Sequence, residues 1–175
     1  VLSTTRVFAS LIAIGLTFAA SLANTNALAQ ALAKPTGAVV LTISGKIGQT
    51  NAASVAEFDE MMLDALPATR ISTATPWRKG VATFAGPSLK SILALVGARG
   101  QTLKMTALDQ YEIKVPIDDA EKFSPVLARK IDGVTLKVKD QGPLFMVYPF
   151  DAMPGLKNDV YYGRSIWHLT RIEVQ

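Results

Sequence analysis

Two adjacent acid pairs, Asp59-Glu60 and Asp118-Asp119, and one imidazole, His168, have the clearest claim on acid/base chemistry in this chain. Asp59-Glu60 falls off the apolar stripe of a helical pattern, which reads as a solvated face. Asp118-Asp119 follows Pro116, where Asp favours a turn. A lone histidine in a strand-like run is ordinarily a hydrogen-bonded structural residue. The 175-residue chain has no cysteine, which removes thiolate metal ligands, disulfides, a cysteine nucleophile and covalent haem attachment together. With a single histidine, a zinc site of two or three imidazoles is excluded as well. Trp77 is different: it sits in Pro76-Trp77-Arg78-Lys79-Gly80, a loop sequence in which a large exposed aromatic side chain points to binding.

The elements that must position these side chains begin after residue 37. Over residues 1–33 the only charge is Arg6, followed by an uncharged run with its apolar centre at Val7–Ala20 and an Ala27-Leu28-Ala29 site near its end. This is the pattern of a secretory signal peptide spanning 1–29. Ser21, Asn24, Thr25 and Asn26 interrupt the run before it reaches the roughly 20 apolar residues of a membrane anchor. Cleavage after Ala29 removes one of the 18 Lys and Arg and none of the 14 Asp and Glu, leaving 146 residues of net charge +3. The expected location is periplasmic, without membrane insertion after cleavage. The basic surplus is unclustered, too weak a signal for nucleic acid. Residues 30–37 are expected as a flexible tail, and 38–175 as one domain with room for a sizeable core.

Within that domain, Ala38–Ile47 is partly alternating and β-branched, predicting a strand. Ser54-Val55-Ala56-Glu57 has capping-box form, and Val55, Phe58, Met61, Met62, Ala65 and Leu66 repeat at helical spacing up to Pro67, predicting an amphipathic helix. Arg70–Thr75 and Val81–Phe84 read as short strands. Gly86-Pro87-Ser88 opens a second helix, with Pro in its first turn, a stripe of Leu89, Ile92, Leu93 and Val96, and Gly97 as its stop. From Thr102 the pattern becomes short strands: 103–107, 111–115, 126–131, 134–138, 144–148 and 165–174, with turns between them, including 149–158 and a hairpin at Asp132-Gly133. Closely spaced strands with the helices early in the chain predict an α+β domain of mainly antiparallel sheets with two or more short helices.

Gln141-Gly142-Pro143-Leu144-Phe145-Met146-Val147-Tyr148-Pro149, followed by Gly163-Arg164-Ser165-Ile166-Trp167-His168-Leu169, resembles the end of the molybdopterin-binding domain of the sulfite oxidase family. Phe84-Ala85-Gly86-Pro87-Ser88-Leu89 resembles that family's strand-to-helix element, and Asp109-Gln110-Tyr111-Glu112 through Pro116 its following strands. The resemblance spans nearly all of 38–174 and implies that family's fold. Thr73-Ala74-Thr75-Pro76-Trp77 stands where the family's enzymes place a cysteine ligand to molybdenum, and Phe145 stands where they have an arginine. The Gly163-Arg164-Ser165 corner matches the position that contacts the pterin's phosphate tail.

A cysteine-less sequence of this kind is similar to an exported branch that binds a pterin without molybdenum and associates with membrane-spanning cyclic-di-GMP signalling proteins. The resemblance therefore implies a pterin ligand and the periplasmic part of such a signalling protein as partner. A pterin binds by stacking on aromatic faces and by hydrogen bonds along its edge. The candidate binding residues are Thr73, Thr75, Trp77, Arg78, Asp109, Tyr111, Tyr161, Tyr162, Arg164 and Ser165, with Phe150 and Asp151 as further members. Neither a catalytic nor a metal-ligating residue is assigned. Trp167 reads as core. Tyr161 and Tyr162, if extended, face opposite ways. Arg164 suits either a ligand or a carboxylate. The rival readings are a molybdopterin-dependent oxidoreductase using Thr73 or Thr75 near the metal, and a ligand-free interaction domain.

Overall fold

A computed structural model describes residues 31–175 of the chain; the expected signal peptide over 1–29 lies outside the described residues. In chain order the first elements are β1 (Val39–Gly45), β2 (Ala56–Asp59), α1 (Glu60–Asp64), β3 (Thr69–Thr75), β4 (Arg78–Gly86) and α2 (Leu89–Leu95). There follow β5 (Thr102–Ala107), β6 (Glu112–Pro116), α3 (Asp119–Lys122), β7 (Val126–Ala128), β8 (Lys130–Ile131) and β9 (Val134–Thr135). The chain ends with β10 (Phe145–Val147), α4 (Asp159–Arg164) and β11 (Leu169–Val174). The main sheet has the order β2-β1-β11-β5-β6, a second has β3-β4-β8-β9, and β7 pairs with β10. Every pairing is antiparallel except β1 with β11. The class is α+β.

Core contacts explain the register. Leu41 and Ile43 of β1 are wholly buried, and the opposing Phe58 and Ala56 of β2 fill the same layer. The helix expected to start at Ser54 does not form there. Residues 56–59 are strand because β1 offers a paired edge for their backbone, and an apolar spacing that fits a helix at 55, 58, 61 and 62 also alternates at 56 and 58. The helix begins only at Glu60, and its cap is Asp59, whose carboxylate accepts the Met62 N–H at 2.8 Å. Asp59 is thus not a solvated residue: it is 2% exposed and also accepts the Thr36 and Gly37 N–H groups at 2.8 Å each. These bonds, led by that from Met62 and then Gly37, hold its carboxyl below the usual range. The expected tail is accordingly tied down at its described end, where Asn51 also donates to the Ala33 carbonyl at 2.6 Å.

Helix α2 is capped by Ser88, which accepts the Ser91 N–H at 3.0 Å, and Gly97 closes it at φ +60°. Pro87 precedes the cap instead of occupying the first turn. Gly86 is required sterically, because a Cβ there would run into the Leu127 carbonyl where β4 crosses β7. The Asp132-Gly133 hairpin forms with φ +51° and +82°, joining β8 to β9. The expected strand over 126–131 is split at Arg129, where the chain leaves β10 for β4. Arg129 is buried, its guanidinium 3.3 Å from Asp64 and 3.1 Å from Glu60. Two larger departures shape the site: the expected turn over 149–158 leads into α4, and the final strand begins at Leu169, leaving 165–168 irregular. Helix α4 is one and a half turns long with no apolar stripe, so periodicity could not signal it. Among the described residues no helix is long and apolar enough to cross a membrane.

Candidate functional site

A cavity of about 300 Å³ opens where the β3–β4 turn, the β5–β6 loop and the α4–β11 segment meet. Its aromatic wall is Trp77, Tyr111, Tyr162 and Trp167; Asp109, Ser165, Ala107, Gly163 and Ile166 complete it. Trp77 is carried by a two-residue turn closed by the Thr75–Arg78 pair. Its half-buried indole meets three rings edge-on: Phe145 at 5.7 Å, Tyr162 at 5.9 Å and Trp167 at 5.6 Å. Each such contact contributes roughly 0.5–1.5 kcal/mol beyond burial, so the wall is fixed by mutual packing. Tyr162 lies on α4 and rests at 5.0 Å on Phe150, which is fully buried and supports the wall from beneath.

Asp109 projects from the hydrogen-bonded β5–β6 loop. Ala107 N–H donates to the Tyr111 carbonyl at 2.9 Å and Gln110 N–H to the Ala107 carbonyl at 3.1 Å, while Gln110 takes φ +70°. The Asp109 carboxylate accepts the Tyr111 N–H through Oδ1 at 3.1 Å, an Asx turn that orients the side chain. The Ser165 hydroxyl donates to the Tyr161 carbonyl at 3.0 Å, leaving its lone pairs for an incoming donor.

The structure thus brings Trp77, Asp109, Tyr111, Tyr162 and Ser165 together and places the other five predicted residues elsewhere. Thr73 is buried, its hydroxyl accepting the Asp151 N–H at 3.0 Å and donating to the Ala74 carbonyl at 3.2 Å. Asp151 completes that tie by accepting the Ala74 N–H at 2.7 Å, and pairs with Lys157 at 2.6 Å; the lysine first, then the amide, holds its carboxyl low. The Thr75 hydroxyl is buried with no partner among the described residues. Arg78 is exposed and turned toward Asp132 at 4.0 Å.

Tyr161, a helix residue, points away from Tyr162 and packs on Phe123 at 5.3 Å and Tyr148 at 5.4 Å. Arg164 lies over the Tyr161 ring at 5.1 Å and donates to Asp119 at 2.8 Å. The same Asp119 oxygen accepts the Tyr148 hydroxyl at 2.7 Å. Burial, reinforced by Asp119, pushes the Tyr148 phenol far above its usual range. Asp119 is 4% exposed, so this turn acid anchors a buried network.

Trp167 corrects the core reading. Because 165–168 is not strand, the indole stands at the cavity wall, 36% exposed. The adjacent His168 takes φ +54°, with Nδ1 2.8 Å from the Gly142 carbonyl. Ala107 carried no signal in the sequence, and Gly163 and Ile166 entered only as members of the Gly163–Leu169 run, since all three contribute surface without functional groups.

Asp109 is the single charged side chain on the wall. The site therefore offers aromatic contact surface, hydroxyls and one carboxylate. Among the described residues no group of three or more His, Cys, Asp or Glu could hold a metal ion. The chain matches no protein-family model and no curated protein.

Proposed function

We propose that this chain is an exported binding protein of the sulfite oxidase-type molybdopterin fold, carrying a molybdenum-free pterin in the Trp77–Tyr162–Trp167 cavity. The observation that carries the reading is the wall itself: four aromatic side chains around about 300 Å³, with a carboxylate at the rim. That volume lies at the small end of ligand sites, roughly 300–1,000 Å³, and suits one bicyclic heterocycle. The residues at the family's ligating position do not fit molybdenum. The Thr73 hydroxyl is committed to Asp151 and Ala74, and neutral hydroxyls are poor replacements for a soft thiolate. The loaded protein would act on the periplasmic part of a membrane cyclic-di-GMP signalling protein, as in the branch it resembles.

Both tryptophans of the chain line this cavity, so selectively excited tryptophan emission reports on this site. Titrating the protein with pterin should quench that emission saturably. Trp77→Ala, measured well below its melting temperature, should weaken binding about two- to tenfold, the equivalent of one aromatic contact. Absence of saturable quenching by wild type would overturn the reading, and unchanged affinity in Trp77→Ala would remove Trp77 from the site.

A further inference from the structure

The resemblance implies a ligand with a phosphate tail held by the Gly163-Arg164-Ser165 corner, and the geometry disagrees. The Arg164 guanidinium is engaged by Asp119 at 2.8 Å and covers Tyr161, so it does not line the cavity. Of the cations next to wall residues, Arg78 faces Asp132 and Arg171 donates to Gln110 at 2.6 Å, while Lys79 is exposed and does not line the cavity. An anionic tail at this cavity would meet the Asp109 carboxylate and no lysine or arginine of the wall.

We propose that Asp109 makes the cavity selective for an unphosphorylated heterocycle presenting an amino group beside a ring N–H, the 2-amino-4-oxo edge. This deepens the pterin reading and rests on it. A carboxylate accepts two parallel donors, as it does from a guanidinium, and the 2-amino-4-oxo ring edge carries the same pair. The Asx turn spends Oδ1 in part on the Tyr111 N–H, leaving Oδ2 and the second lone pair of Oδ1 for those donors. The stacking wall grips any flat bicycle, so discrimination between bicycles falls to the edge. A ring with a carbonyl in place of the amino group sets oxygen against carboxylate and loses a donor. A phosphate ester adds like-charge repulsion.

The test is a fluorescence titration of wild type and Asp109→Asn with four probes: pterin, lumazine (its 2-oxo counterpart), 6-hydroxymethylpterin and the phosphate ester of the last. Asn retains an Asx-turn acceptor and the side chain is exposed, so the variant should fold as wild type, checked by its melting temperature. Wild type should prefer pterin to lumazine about tenfold, about 1.4 kcal/mol, a modest figure for a charge-assisted pair at a wet rim. Asp109→Asn should bring pterin down toward lumazine while lumazine, freed of the oxygen–carboxylate repulsion, binds as well as to wild type or better. The ester should bind wild type more weakly than the alcohol, with the gap narrowing in Asp109→Asn. Equal wild-type affinity for pterin and lumazine, or an unaltered preference in the variant, overturns the role of Asp109 while leaving the pterin reading standing. Tighter binding of the ester than of the alcohol overturns the exclusion of phosphate. Failure of all four probes to bind overturns both readings together.

Discussion

Replacing Arg164 with Ala should unfold the protein more easily and leave the cavity's affinity nearly unchanged, the reverse of what its place in Gly163-Arg164-Ser165 suggests. Its guanidinium donates to Asp119, whose side chain is 6% exposed and whose other partner is the Tyr148 hydroxyl. Removing one member of a buried ion pair costs about 3–5 kcal/mol, because the remaining charge is stranded. The Arg164 side chain is 23% exposed, so solvent screens part of that loss and about 2–3 kcal/mol is the better figure. Loss of the contact over Tyr161 adds about 0.5–1 kcal/mol. At this chain length each kcal/mol moves the melting temperature about 2–4 °C, so the combined loss of about 2.5–4 kcal/mol should lower it by roughly 5–16 °C in calorimetry. Adding Asp119→Asn should recover part of the loss by removing the stranded charge, a coupling that a double-mutant cycle reads directly. A variant that melts within about 2 °C of wild type yet loses most of its pterin affinity would refute this reasoning and put Arg164 on the ligand.

Two further outcomes follow from the packing. Asp59 has its folded pKa depressed by accepted N–H groups, so its stabilisation is fully present above the unfolded carboxyl pKa of about 4 and is lost as pH falls through the folded value. Asp59→Asn should therefore show a shallower loss of urea midpoint between pH 5 and pH 2 than wild type, and an unchanged slope would show that other carboxylates govern acid unfolding. Gly86→Ala should cost at least about 1–3 kcal/mol, since the new methyl meets backbone at Leu127 and no rotamer can relieve it; an unaltered denaturation midpoint would mean that β4 and β7 separate easily.

The sequence by itself determined the α+β class, β1, β3, α2, the β8–β9 hairpin and the place of Trp77 in a turn, because each rests on local signals: alternation, a serine cap, an Asp-Gly turn, a Pro-Trp loop. The same local rules failed wherever a distant partner decided. Residues 56–59 obey a helical spacing, and β1 draws them into the sheet because their backbone finds a ladder there and Phe58 finds the core. Helix α4 is too short to carry a periodic signal, yet it sends Tyr162 to the cavity and Tyr161 to Tyr148, a division that two adjacent tyrosines cannot announce. Arg164 was equally suited to a ligand or a carboxylate until the fold placed Asp119, 45 residues earlier, within 2.8 Å of it. Trp167 looked like core until the irregular stretch before β11 turned it to the wall. Side-chain type sets what a residue can bind, and only the long-range packing of the sheets sets what it faces.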